Sequence, residues 1–374
     1  MYTVKPFSID VPQTVLDDLQ QRLQRTRWAD APENPGWNYG TNPDTLKDLV
    51  QYWATSYDWR KQEAALNRFP HFTTEIDGIN IHFIHVKGKG KNPKPLLLVH
   101  GWPDSFYRYY KVIPMLTQGE PSYDLVIPSI AGFGFSDHVA LNPDQHAGIF
   151  NKLMQDVLGY STYYAGGGDL GTGIVKSLAN IFPQAVKAIH LTDVGYGTGM
   201  EDWSQMSAPE QEFGKFLQHW WYTEGAYNML HSTKPQTLAF ALNDSPVGLA
   251  SWILEKFNAW TDNGGNVENA VSKDELLTNI MIYWVTQTIN SSMRTYLEGS
   301  RALYTTPGGL ASYKRVEVPT GVASFPGEAP IPKEWAERWV NVKRFSKMPK
   351  GGHFAPLEQP DAWVGELNAF FETV

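Results

Sequence analysis

One stretch of the 374-residue chain concentrates residues that could do chemistry: Tyr163-Tyr-Ala-Gly-Gly-Gly-Asp-Leu-Gly-Thr-Gly173. A strand pattern runs into a cluster of small residues and then into a helical pattern from Ile174 to Asn180. A sharp strand-to-helix turn holds its central side chain at a strained backbone position, and small residues two before and two after it let the turn close without collision. Gly167 and Gly171 stand in those positions around Asp169. A carboxylate placed there is ionised at neutral pH and attacks saturated carbon without help from a base, leaving an alkyl ester. Gly-rich turns at helix N-termini also bind phosphate, but an acid at the tip repels phosphate and the glycine spacing departs from the dinucleotide fingerprint. Gly-x-Ser-x-Gly is absent, and Ser136 in Gly134-Phe-Ser-Asp137 lacks the second glycine, so a serine esterase is disfavoured.

Breaking an ester on Asp169 requires activated water. His353, in Lys350-Gly-Gly-His-Phe-Ala355, follows the last strand pattern and precedes the terminal helical one, which makes it the expected base. His82 and His190 fall inside strand patterns and read as packing or surface residues. A third group must hold the imidazole in the correct tautomer, and Glu328 in Phe325-Pro-Gly-Glu328 fits, with Glu317 and Asp193 as competitors. The oxyanion formed by water attack needs backbone N–H donors, for which Leu170 and Trp102, in His100-Gly-Trp-Pro103, are placed.

These groups need a scaffold, and composition allows a large one: 42% of residues are hydrophobic, with 14 Trp, 18 Tyr and 18 Phe. The 31 Lys and Arg against 39 Asp and Glu, without long like-charge runs, offer no footprint for nucleic acid, so a small molecule is the expected partner. The absence of cysteine excludes disulfides, thiolate metal sites and cysteine nucleophiles. Met1 to Asp10 lack the pattern of a signal peptide, and no apolar run approaches the roughly 20 residues of a membrane span, so the chain reads as soluble and cytoplasmic.

Periodicity orders the elements. Val15, Leu16, Leu19 and Leu23 recur at helical spacing, and a second helical region spans Asp44 to Asn67 with Leu46, Leu49, Val50 and Trp53 inward. Phe72 to Val86 alternates around Asp77-Gly78 and predicts a hairpin. Strand patterns follow at Pro95 to Val99, Tyr123 to Pro128, Thr162 to Ala165 and Lys187 to Leu191. Helical patterns then take over at Glu210 to Trp221, Pro246 to Trp260 and Asp274 to Leu297 before strands return at Arg315 to Ser324 and Val342 to Met348, and a helix over Pro360 to Phe371 closes the chain. This order predicts an α/β fold with a mostly parallel sheet, a helical N-terminal segment and an inserted helical cap. The expected divisions are 1–90 for the N-terminal helical region and first hairpin, 91–194 and 311–374 for the two parts of the core, and 195–310 for the cap.

Along nearly its whole length the chain resembles epoxide hydrolases of the microsomal type, which have the α/β-hydrolase fold. The resemblance is carried by His100-Gly-Trp-Pro103, Gly132-Phe-Gly-Phe-Ser-Asp137, Gly167-Gly-Asp169, Asn243-Asp-Ser-Pro-Val-Gly-Leu249 and Gly351-Gly-His-Phe354, with Glu328 in the family's Phe-Pro-x-Glu context. It implies conversion of an epoxide and water to a vicinal diol, with no metal or organic cofactor, and leaves a homodimer open. It also implies that Tyr227, in Ala226-Tyr-Asn-Met-Leu-His231, and Tyr296, in Arg294-Thr-Tyr296, bind the epoxide oxygen. The chain departs from the family at Leu170, where an aromatic residue is usual, and the pattern of Met1 to Asp10 predicts no counterpart of the N-terminal anchor of animal members. A haloalkane or haloacid dehalogenase shares the Asp nucleophile and is the alternative, although Leu170 offers no halide donor; a non-catalytic binding protein of the same fold is the remaining one.

Overall fold

The computed structural model describes residues 2–197, 201–305 and 314–374. A short strand, β1 (Lys5–Phe7), precedes helices α1 (Gln13–Gln24), α2 (Pro43–Thr55) and α3 (Trp59–Leu66) and the hairpin β2 (His71–Ile76) and β3 (Ile79–Val86). Asn42 caps α2 by accepting from the N–H groups of Asp44 and Thr45, and Leu46, Leu49, Val50 and Trp53 form its buried face as expected. The single helical region expected from Asp44 to Asn67 is two helices. The Tyr57 N–H turns back to the Tyr52 carbonyl and Asp58 caps a new helix, which the apolar spacing alone does not reveal. β1 was also not expected; three residues carry no period, and it is a strand because it pairs with β2. Asp77 and Gly78 both have positive φ, 52° and 79°, as a two-residue hairpin turn demands.

The core continues through β4 (Lys94–Val99), α4 (Ile113–Gln118), β5 (Tyr123–Pro128), α5 (Pro143–Lys152), β6 (Tyr163–Gly167), α6 (Leu170–Ile181) and β7 (Val186–Leu191). β5 and β6 are buried along their whole length, which is why they read as continuous apolar or small-residue runs. The chain leaves the sheet after β7 for α7 (Ala208–Thr223), α8 (Ala226–Thr233), α9 (Pro235–Asp244), α10 (Pro246–Trp260), α11 (Lys273–Thr286) and α12 (Ile289–Thr305). The helix expected from Asp274 to Leu297 is broken into α11 and α12, because Gln287 turns left-handed at φ 54°. The chain returns with β8 (Val316–Ser324), α13 (Lys333–Trp339), β9 (Val340–Lys347), α14 (Ala355–Glu358) and α15 (Pro360–Phe371). The expected boundary at 310 and 311 lies outside the described residues.

The nine strands among the described residues form one sheet in the order β1-β2-β3-β5-β4-β6-β7-β8-β9. β1 to β3 join antiparallel, and β3 meets β5 antiparallel, whereas the pairs from β5 through β4 to β9 are parallel. From β4 the chain moves outward to β5 and then crosses back to β6, so the order reverses between β4 and β6. Loops leaving the carboxyl ends of two such strands diverge and open a crevice, the usual binding place in a parallel sheet. The N-terminal helices brace the cap above it: Arg22 pairs with Asp244, Thr41 donates to the Ser251 carbonyl, and Tyr52 donates to Asp274. Among the described residues no helix is long and apolar enough to cross a membrane.

Candidate active site

Asp169 stands at the carboxyl end of β6 with φ 58° and ψ −126°, a region that costs a non-glycine residue about 1–3 kcal/mol. Its neighbours leave no alternative to glycine. A Cβ on Gly167 would lie 2.7 Å from the Gly171 backbone, and one on Gly171 would lie 2.2 Å from the Val99 carbonyl oxygen. Across the crevice, a Cβ on Gly101 would lie 2.5 Å from that of Asp169, so the loop after β4 can approach the carboxylate only as glycine. Asp193 locks the turn from below: one oxygen accepts from the Asp169 N–H and the Thr172 hydroxyl, both at 2.8 Å, and the other from the Gly195 N–H at 3.0 Å.

The approach aims two backbone donors at the carboxylate. The Trp102 N–H donates to Asp169 Oδ1 at 2.8 Å, and the Leu170 N–H also bonds the carboxylate. The other oxygen, Oδ2, faces His353 Nε2 at 3.8 Å, and that nitrogen is buried without a hydrogen-bond partner. His353 Nδ1 is 2.5 Å from Glu328 Oε2. Of the competing acids, Asp193 is committed to the elbow and Glu317 pairs with Arg315 at the surface, so Glu328 is the one at the imidazole. Ser136 accepts from the His82 N–H and donates to the Ser129 carbonyl, away from any nucleophilic position.

Burial and charge set the protonation states. Burial pushes Asp169 up to about 6, against the pull of His353 and the two N–H donors. Burial opposes charge on His353, but Glu328 and then Asp169 outweigh it and raise the imidazole to about 9. Glu328, which burial alone would raise, is held below its ordinary value by His353. The resting site therefore holds an imidazolium between two carboxylates at neutral pH.

Above this triad lie Tyr227 on α8 and Tyr296 on α12, both buried, with ring centroids 6.1 Å apart. Trp102 stacks on Tyr227 at 5.2 Å and meets Tyr296 edge-on at 6.2 Å. Burial, and next the Asp169 charge, push both phenols well above their ordinary range, so they remain donors. The Tyr296 hydroxyl has no hydrogen-bond partner in good geometry, although Tyr227 is near enough to affect its ionisation. A cavity of about 700 Å³ brings together Asp169, Leu170, Tyr227, Tyr296, Glu328 and His353 under a wall that includes Trp220, Trp221 and Trp260. Leu170 thus occupies a wall position where an aromatic ring was the family expectation. A separate cavity of about 600 Å³ beside α1 and α9 holds none of these groups.

Several supporting residues escaped the sequence reading. Asp104 accepts from the Gly101 N–H at 2.8 Å and pairs with the buried Arg108 at 2.5 Å, which donates onward to the His353 carbonyl at 2.6 Å. Asp104 directly follows the His-Gly-Trp-Pro run, and Arg108 lies one helical turn beyond, so a signal existed. Tyr196 donates a short hydrogen bond to the second oxygen of Glu328, and nothing local in the sequence marks it. The end of α10 is fastened to the loop that carries His353. The His353 N–H donates to the Trp260 carbonyl at 2.8 Å, Glu358 accepts from Asp262 and Phe354 N–H groups at 3.0 and 2.9 Å, and Asp262 accepts from the Gly351 N–H at 3.0 Å. A Cβ on Gly352 would lie 2.4 Å from the Trp260 carbonyl oxygen. Among the described residues no cluster of His, Asp and Glu is arranged to hold a metal ion.

Comparison with known proteins agrees with this architecture. Residues 4–109 match the family described as epoxide hydrolase N terminus, and residues 94–250 match the alpha/beta hydrolase fold. The chain is 38% identical to epoxide hydrolase 1 of Sus scrofa, over 98% of this chain and 88% of that protein. It superposes on Aspergillus niger epoxide hydrolase with a TM-score of 0.86 at 30% identity, covering 100% of this chain and 97% of that one. The crystal structure of juvenile hormone epoxide hydrolase from Bombyx mori gives a TM-score of 0.88 at 31% identity, covering 100% and 96%. The sheet with its crevice at the β4/β6 reversal, and a relationship that spans the whole chain, place this protein in the epoxide hydrolase family of the α/β-hydrolase fold.

Proposed function

We propose that the protein converts an epoxide and water to a vicinal diol through an alkyl ester on Asp169. The observation that carries this reading is the division of labour within one carboxylate that lines the cavity: Oδ1 accepts from the Trp102 N–H while Oδ2 faces His353. In the first step Oδ2 attacks an epoxide carbon from the face opposite the C–O bond. That bond breaks, its electron pair goes to oxygen, and Tyr227 and Tyr296 stabilise the alkoxide by hydrogen bonding and proton donation. The product is a hydroxyalkyl ester whose carbonyl oxygen is the former Oδ1.

Ester formation removes the negative charge of Asp169. One of the two anions that held His353 protonated has gone, so the imidazolium releases its proton more readily and Nε2 becomes a base. Glu328 holds Nδ1 as the protonated nitrogen. His353 takes a proton from water, hydroxide adds to the ester carbon, and Trp102 and Leu170 N–H groups hold the oxyanion. Collapse breaks the bond to the alcohol oxygen, which takes the hydroxyl proton of the intermediate, and so releases the diol and regenerates the carboxylate; the proton released by the imidazolium restores the phenol that protonated the alkoxide, and the proton taken from water restores the imidazolium, so the cycle balances. We assign these tasks to three of the segments expected above, with 195–310 supplying the phenols and 91–194 and 311–374 the nucleophile, donors and base.

One turnover of styrene oxide in oxygen-18 water, with enzyme in excess, tests the covalent step. Unlabelled diol with label appearing in Asp169 is expected. Label in the first diol, with none in Asp169, sinks the ester mechanism. The dehalogenase alternative requires halide donors beside the nucleophile, which the Leu170 side chain cannot provide; the relatives described above give it no support.

A further inference from the structure

The steps above leave one buried cation of the cap unused. Lys256 lies on α10 with only 5% of its surface exposed. An ammonium withdrawn from water carries a desolvation penalty that good pairing must offset. Its ion pairs, to Glu255 at 2.7 Å and Glu224 at 3.7 Å, do not explain the burial, because both acids are partly exposed and could be reached from the surface. What lies inward does explain it. The Lys256 Nζ sits over the Tyr227 ring, 5.0 Å from its centroid, and 5.5 Å from that of Trp260. Trp260 in turn packs on both Tyr227 and His353, with centroids 5.2 and 5.0 Å away. His231, one turn from Tyr227, is kept neutral by burial and by this same lysine, so it adds no competing charge.

We propose that Lys256 is a positioning residue for epoxide opening: its ammonium draws electron density from the Tyr227 ring and strengthens the hydrogen bond that this phenol donates to the epoxide oxygen. The inference rests on the reading of Tyr227 as an oxygen donor. A cation over an aromatic face is attracted by the electron-rich ring, and the attraction grows as the phenol takes on phenolate character in the transition state. Asp169 and Glu328 act on Tyr227 in the opposite sense, since their negative charges hold its proton on, and Glu224 and Glu255 partly screen the ammonium. The lysine offsets that opposition at the one donor it covers.

The test is a double-mutant cycle on ester formation, followed by rapid quench with styrene oxide. Lys256→Met is expected to slow this step about tenfold in the wild-type background and less than about twofold in Tyr227→Phe, with Lys256→Arg keeping most of the rate. The alkaline limb of the pH profile should move to higher pH in Lys256→Met. An equal loss in both backgrounds, or no loss in either, overturns the proposal. If Tyr227→Phe alone leaves ester formation unchanged, the donor role of Tyr227 fails and the lysine proposal falls with it; a slow Tyr227→Phe with additive losses sinks the lysine alone. Should Lys256→Met fail to fold, Glu224→Gln gives the opposite sign. Removing a screening anion is expected to speed ester formation about twofold, and an unchanged or slower rate overturns the proposal.

Discussion

The elbow around Asp169 and the phenol pair above it are built by opposite means. At the elbow, backbone does the positioning: donors are N–H groups, the constraints are glycines without room for a methyl group, and the carboxylate approaches within contact of the loop after β4. Above it, side chains position side chains, with Tyr227 stacked on Trp102 and Tyr296 set against both rings. The first construction has almost no tolerance, because a backbone cannot be repacked. The second can yield, because rings slide and neighbours fill the space.

Four experiments would break or sharpen this contrast. His353→Gln should lower steady-state turnover by about 1,000-fold yet allow one equivalent of epoxide to add to the protein, seen as a mass increase by intact-protein mass spectrometry; absence of the adduct would place His353 before the ester rather than after it. Gly171→Ala should cost about 3 kcal/mol of stability in urea unfolding, as overpacking against the Val99 carbonyl requires. A fully stable variant would mean that the turn is not rigid. Tyr227→Phe and Tyr296→Phe should each lower kcat/KM by about 10- to 100-fold while changing stability by less than about 1 kcal/mol. A loss of stability as large as that of the glycine variant would erase the distinction between the two regions. The smallest effect is that of pH. The proposed attack uses the Asp169 anion, and burial raises that carboxyl to about 6, so kcat/KM should fall as pH drops through that value, about tenfold per unit below it. A rate constant flat down to pH 4.5 would show that the carboxylate is less buried than it stands here.

The same contrast governs what could be read from residues alone. Gly167, Asp169 and Gly171 are legible because a closed turn demands small residues at fixed offsets, and His353 is legible because it follows the final strand. Tyr227 and Tyr296 are not, since an aromatic residue on an amphipathic helix is ordinarily core; only the family resemblance singled them out. Strands buried on both faces were found to within a few residues, whereas the breaks at Tyr57 and Gln287 depend on single-residue backbone turns that leave the apolar spacing intact. β1 is invisible for a related reason, because its identity lies in its partner. Tyr196 acts on Glu328 across a long stretch of chain, and no local pattern reports such a contact.

The fastening between the end of α10 and the His353 loop limits how the enzyme can handle molecular traffic. With Trp260, Asp262 and Glu358 joined to Gly351, His353 and Phe354, a cap that swung open at this corner would drag the base with it. The corner therefore behaves as a fixed hinge post rather than a door. His353 and the chamber wall that Trp260 supplies therefore keep one geometry, with nothing to reassemble around a bound molecule.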